Sequence, residues 1–217
     1  RGYGEHLSRV GRFEEGLAAF ESSLNICQDL ADARFSRFSS DLTFSFFSYA
    51  SGLTNTGDIK GALSIEQKAL GMLDTLAMSN PGFYLPYKEH CRLNIVLWQW
   101  LLSGEIIADE VRDEVPVIRN ISMQRSVEFH RLWLVAWIER DFEAISEALN
   151  CFARLNSTKQ RSAVEHMFLL INLAEHFFGA DFITDSWREI SDRYRKRTGG
   201  KCSHWMIEAA GAHGLIL

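Results

Sequence analysis

At 217 residues, with 47% hydrophobic and 24% charged side chains, the chain has the composition of a folded globular protein of one or two domains. Its net charge of −5 argues against nucleic acid as a partner, and its longest uninterrupted apolar run, Leu132 to Ile138, is far short of a membrane span. Three prolines in the whole chain and few alternating β-branched runs point to helix throughout.

The first stretch, Tyr3 to Leu24, reads as the end of one helix, a reversal at Gly11 and a second helix packed back on the first. Leu7 and Val10 share a face of the first helix. Phe13, Leu17, Phe20 and Leu24 recur at helical spacing in the second, and Gly4, Gly16 and Ser23 are small enough to let two helices approach closely. Asp29 to Phe35 is expected to carry the chain across to a helix ending near Asn55. Gly57 turns it, Asp58 caps the next helix, and that helix runs from Ile59 to Leu76. Ser79-Asn80-Pro81-Gly82 is the strongest turn signal, with Pro86 suited to the first turn of a helix that runs to about Leu102.

Ser103-Gly104 turns the chain again. Ile106, Ile107, Val111, Val115 and Ile118 form the next apolar stripe, with Pro116 kinking or ending it. Helices are expected over Met123 to Glu139 and Phe142 to Leu155, with Arg140-Asp141 in place of a glycine and a cap. Ser162 with Glu165, and Ser186 with Glu189, have capping-box spacing. The first opens a helix to Phe178, Gly179 turns the chain, and the second helix stops at Gly199-Gly200 before a last one over Ser203 to Ala212.

Tyr3, Gly4, Leu7, Gly11, Phe13, Gly16, Phe20 and Ser23 follow the order of the tetratricopeptide repeat pattern. Phe46, Tyr49, Ala50, Leu53, Gly57, Ile59, Ala62 and Ala69 follow it a second time, with Glu66 standing where that pattern has an aromatic. The chain therefore resembles the tetratricopeptide repeat family. The resemblance implies an all-α fold, a helical-hairpin repeat array wound as an α-α superhelix. Its approximate repeats would be 1–35, 36–80, 83–120, 122–156 and 160–199, with a terminal helix over 202–214. Turns at Gly11, Gly57, Gly104, Arg140 and Gly179 are 46, 47, 36 and 39 residues apart, all longer than the ~34 of the usual repeat. The chain opens inside a helix at Arg1 and is expected to be a piece of a longer protein.

The four cysteines lie more than fifty residues apart, with no CxxC, and read as free thiols of a reducing, cytoplasmic compartment. There is no HExxH, GxSxG, phosphate loop or dinucleotide fingerprint, so no residue is read as catalytic, metal-ligating or cofactor-binding. Asn120-Ile121-Ser122 and Asn156-Ser157-Thr158 match glycosylation acceptors by chance.

Function is left to a binding surface. In the family resembled, the first helix of each pair lines the concave face, here roughly 38–55, 84–102, 123–139 and 162–178. Arg37, Tyr87, Lys88, Arg92, Asn94, Arg131 and Asn172 are the groove candidates on those helices. Asn can hold a peptide backbone and Lys or Arg its carboxylates. Arg188, Arg193, Arg195, Lys196 and Arg197 form a basic run that either complements its own helix end or docks an acidic partner or nucleic acid. The expected activity is noncatalytic binding of a protein or peptide. The alternative is an effector-sensing regulatory domain of a transcription or signalling regulator that takes a peptide or small molecule. A third, enzymatic reading needs an active site that the sequence does not display, and a second copy of the chain is a further candidate partner.

Overall fold

The computed structural model describes residues 2–104, 111, 116–118, 120–140, 142–155 and 157–217. Ile106, Ile107 and Val115 of the expected stripe, Asp141 beside Arg140, and Asn156 lie outside them. Every regular element among the described residues is helical: α1 (Gly2–Arg9), α2 (Phe13–Ala33), α3 (Phe35–Thr56), α4 (Ile59–Ser79), α5 (Pro81–Ser103), α6 (Ile121–Glu139), α7 (Phe142–Ala153), α8 (Ser157–Ser162), α9 (Val164–Phe178), a 3-10 turn (Ala180–Phe182), α10 (Asp185–Thr198) and α11 (His204–Ala212). No helix of the described residues is long and apolar enough to cross a membrane. The chain divides into two compact units, Arg1–Gly104 with Ser203–Trp205, and Glu105–Cys202 with Met206–Leu217.

In the first unit each of α1 to α5 packs on the next. Gly11, at φ +77°, ends the α1 turn, and Gly57, at φ +100°, ends α3. Asp58 caps α4, its side chain accepting from the Gly61 amide at 2.7 Å. The close approach expected at Gly4 and Gly16 is present: a Cβ on Gly4 would fall 2.7 Å from the Phe20 ring, and one on Gly16 would fall 2.6 Å from Ser8 Oγ. Leu42, Phe46, Ala69, Leu73, Cys91 and Ile95 form the core between α3, α4 and α5.

Two joints differ from the sequence reading. The crossing expected over Asp29 to Phe35 is helix as far as Ala33, and the chain breaks only at Arg34, whose φ of −151° and ψ of 73° leave the helical region. The break at Ser79-Asn80-Pro81-Gly82 shrinks to Asn80, because Pro81 opens α5 at the position where a missing N–H costs nothing. Pro86 is therefore inside α5 rather than in its first turn.

In the second unit α6 packs on α7, and α9 packs on α6, α7 and α10. Its core is aromatic: Trp133 and Trp137 stack at 5.3 Å, Phe168 lies 4.6 Å from Tyr194, and Tyr194 donates to Met206 Sδ at 3.2 Å. Asn120, read as a chance glycosylation match, caps α6 by accepting from the Ser122 and Met123 amides, both at 3.1 Å. Arg140 takes the left-handed stop after α6, at φ +56°. The capping box at Ser186 does not form, since the N-cap of α10 is Thr184, without a capping side-chain bond; the N-cap position of α9 is Ala163, and the side chain of Ser162 lies outside those described.

Candidate binding surface

Helix geometry gives α3 two working sides. Residues 35, 39, 42 and 46 form one stripe and residues 37, 41, 44 and 48 another, on the opposite side. Leu42 and Phe46 are buried in the core, whereas Phe44 is half-buried and Arg37 and Asp41 are exposed. Phe44 meets α5 there. Its ring lies 4.9 Å from Tyr87 and 6.3 Å from Phe83, and Phe83 in turn touches Tyr84 at 4.8 Å and Tyr87 at 5.6 Å. Phe83 is 46% exposed, while Tyr84 and Tyr87 are half-buried and pack against the core, so the cluster is a shelf at the core's edge. Edge-to-face rings with phenol tips offer apolar area together with hydrogen bonds, the combination enriched in protein interfaces. Arg37, on the stripe of Phe44 but two turns before it, has its guanidinium 5.4 Å from the Phe38 ring.

The other three α5 candidates are held inside the chain. Lys88 Nζ pairs with Asp74 at 2.7 Å, Arg92 Nε with Glu89 at 3.1 Å, and Asn94 Nδ2 donates to Glu66 Oε1 at 2.9 Å. An Asn–Lys–Arg clamp on a peptide would have to break all three contacts. Asn94 instead belongs to a buried knot between α4 and α5. Glu66 is 3% exposed, and Cys91 Sγ lies 3.0 Å from its Oε2. Burial pushes the Glu66 carboxyl up to about 7, against the pull of the Cys91 and Asn94 hydrogen bonds. The signal for this knot was in the sequence. Residues 59, 62, 66, 69 and 73 share one stripe of α4, and the other four are core.

No family model, curated protein or solved structure matches this chain. What the chain can do is therefore read from its own surfaces.

The second-unit candidates scatter. Arg131 Nε on α6 is buried without a hydrogen-bond partner among the described residues. Asn172 on α9 donates to the Phe168 carbonyl at 2.6 Å, and its Oδ1 lies 3.5 Å from Arg195 Nη2. Much of the basic run is tied to its own surroundings: Arg188 to Asp185 and the Ala180 carbonyl, Arg193 to Glu189, Arg195 over the Phe168 ring at 5.4 Å and Arg197 over the Tyr194 ring at 5.7 Å. Lys196 is exposed. Arg195, Lys196 and Arg197 occupy the last turn of α10, where cations suit the helix dipole.

Burial raises the thiols of Cys91, Cys151 and Cys202, the second to about 11, so none of the three is a thiolate near neutrality. His166 sits between His130 and Trp133, with ring centroids at 5.1 and 4.8 Å, and burial pushes it down to about 4. Among the described residues no group of three or more His, Cys, Asp or Glu is placed to hold a metal.

Two hollows were missed by the sequence reading because each is built from two helices. One lies between α3 and α4, about 610 Å³ and almost wholly apolar. The other lies between α6 and α7, about 440 Å³, where Arg125 and Arg154 share a trough with Glu128, Glu143 and Glu147.

Proposed function

We propose that the chain is a noncatalytic interaction domain of tetratricopeptide-repeat type, which docks a protein or peptide on the face shared by α3 and α5. The observation that carries this reading is the half-exposed shelf of Phe44, Phe83, Tyr84 and Tyr87, with Arg37 farther along the same stripe of α3. The two helices of that face are first helices of consecutive pairs in the repeat pattern, the elements that line the concave side in the family resembled. Burial of Leu7, Phe13, Phe20, Ala50, Leu53, Ile59, Ala62 and Ala69 at pattern positions supports the assignment. Asp41 and Arg37, of opposite sign on one stripe, suit a partner with both charges at the rim.

The test is affinity capture with the intact protein, in which wild type is compared with a Phe83→Ala/Tyr87→Ala variant and with a Gly71→Ala control. A partner held by wild type and by the control, and lost from the double variant by tenfold or more, supports the shelf. Retention of the partner by the double variant overturns it.

A further inference from the structure

The side of α3 that faces away from the shelf forms, with α4, a groove of about 610 Å³. Phe35, Leu42 and Phe46 of α3 and Met72 and Leu76 of α4 supply its apolar lining. On α4 the lining positions 68, 72, 75 and 79 follow one helical stripe, so the groove runs along the helix for about 16 Å from Lys68 to Ser79. Two features say what would fill it. Lys68 is the one charged side chain on the lining; it is exposed and makes no ion pair or hydrogen bond among the described residues. Gly71, one turn farther on, leaves the groove open: a Cβ there would meet nothing within 4 Å.

An apolar slot that carries one unneutralised cation at one end suits a ligand with one negative charge and a long apolar body. An extended peptide suits it poorly, because its backbone amides need partners and the lining offers only hydroxyls of Ser36, Ser39, Thr75 and Ser79, of which Ser79 already donates to the Leu76 carbonyl. The slot length matches about a dozen methylenes. We propose that the α3–α4 groove binds a free single-chain aliphatic monocarboxylate, with its tail along Leu42, Phe46, Met72 and Leu76 and its carboxylate at Lys68 Nζ. This site stands apart from the aromatic shelf, and neither proposal depends on the other.

The experiment titrates the intact protein with sodium alkanoates of eight to fourteen carbons below their micelle concentrations, followed by calorimetry. Affinity is expected to rise about two- to fourfold per methylene and to level off near twelve carbons. Lys68→Glu should weaken dodecanoate at least tenfold and favour dodecyltrimethylammonium instead. Gly71→Leu, which fills open space, should abolish binding while the far-ultraviolet circular dichroism is kept. Phe83→Ala/Tyr87→Ala should bind dodecanoate as wild type does. Equal dodecanoate affinity in wild type and Lys68→Glu overturns the proposal, as does the absence of chain-length dependence. Binding to phosphatidylglycerol vesicles with none to monomeric dodecanoate overturns it in favour of a membrane surface.

Discussion

Glu66 is a carboxyl in an environment at odds with its chemistry. A carboxyl that is 3% exposed and faces a thiol and an amide, with no cation among its hydrogen-bond partners, is stable there mainly as the neutral acid. Its folded value is raised to about 7, so between about pH 4.5 and 7 the folded chain keeps a proton that the unfolded chain has released. Stability from this group is complete in acid and falls as the pH rises through that window, by ~3 kcal/mol. Glu66→Gln keeps the shape and removes the titration. Relative to wild type, it should gain stability from pH 5 to about pH 7 and level off by pH 8 in urea denaturation. A difference between the two proteins that stays constant across that range would show that the carboxyl does not titrate. The same position is where the repeat pattern has an aromatic side chain, so the departure from pattern is a buried polar knot rather than a gap in the core.

The helices differ in how readable their ends are. Stops at Gly11, Gly57, Gly104, Gly179 and Gly199 all have positive φ, a conformation that glycine adopts without cost and that the sequence advertises. Asn80 is marked by the proline that follows it, whereas Arg34 breaks the chain at φ −151° and ψ 73°, angles that many residues can adopt, so no residue type marks that joint. The stripes of α2, α3 and α4 were legible because burial repeats at helical spacing. The shelf and the groove were not, since each needs to know which helix lies opposite. Close packing at Gly16 gives the element-scale prediction. Gly16→Leu must push aside Ser8 Oγ at 2.6 Å and the Gly4 carbonyl at 3.2 Å, and should destabilise the α1–α2 hairpin by about 1–3 kcal/mol. Gly71→Ala, in open space, should stabilise by up to ~1 kcal/mol through helix propensity alone. Urea titrations of both variants check the pair, and a Gly16→Leu protein as stable as wild type would mean that α1 does not pack on α2 this closely.

At the scale of the whole molecule, the two units carry titrating groups of opposite sign. Glu66 belongs to the first, and His166 and His213 to the second. Burial holds His166 down at about 4, and burial with the Arg140 charge does the same for His213, whose ring lies 4.8 Å from Trp137. Below pH 6.5 the unfolded imidazoles take up protons that the folded ones refuse, so this contribution to stability is lost as the pH falls from 6.5 toward 4. Acidification from pH 7.5 to 5 therefore strengthens the first unit and weakens the second. Hydrogen exchange read by mass spectrometry separates the two, because peptides from α4 and α5 report on one and peptides from α6 and α9 on the other. Corrected for intrinsic rates, protection in α4 and α5 should rise, and protection in α6 and α9 should fall, each by more than about tenfold. Protection that moves in the same direction in both sets would mean that the chain opens as a single cooperative body, and that its two cores do not hold their own stabilities.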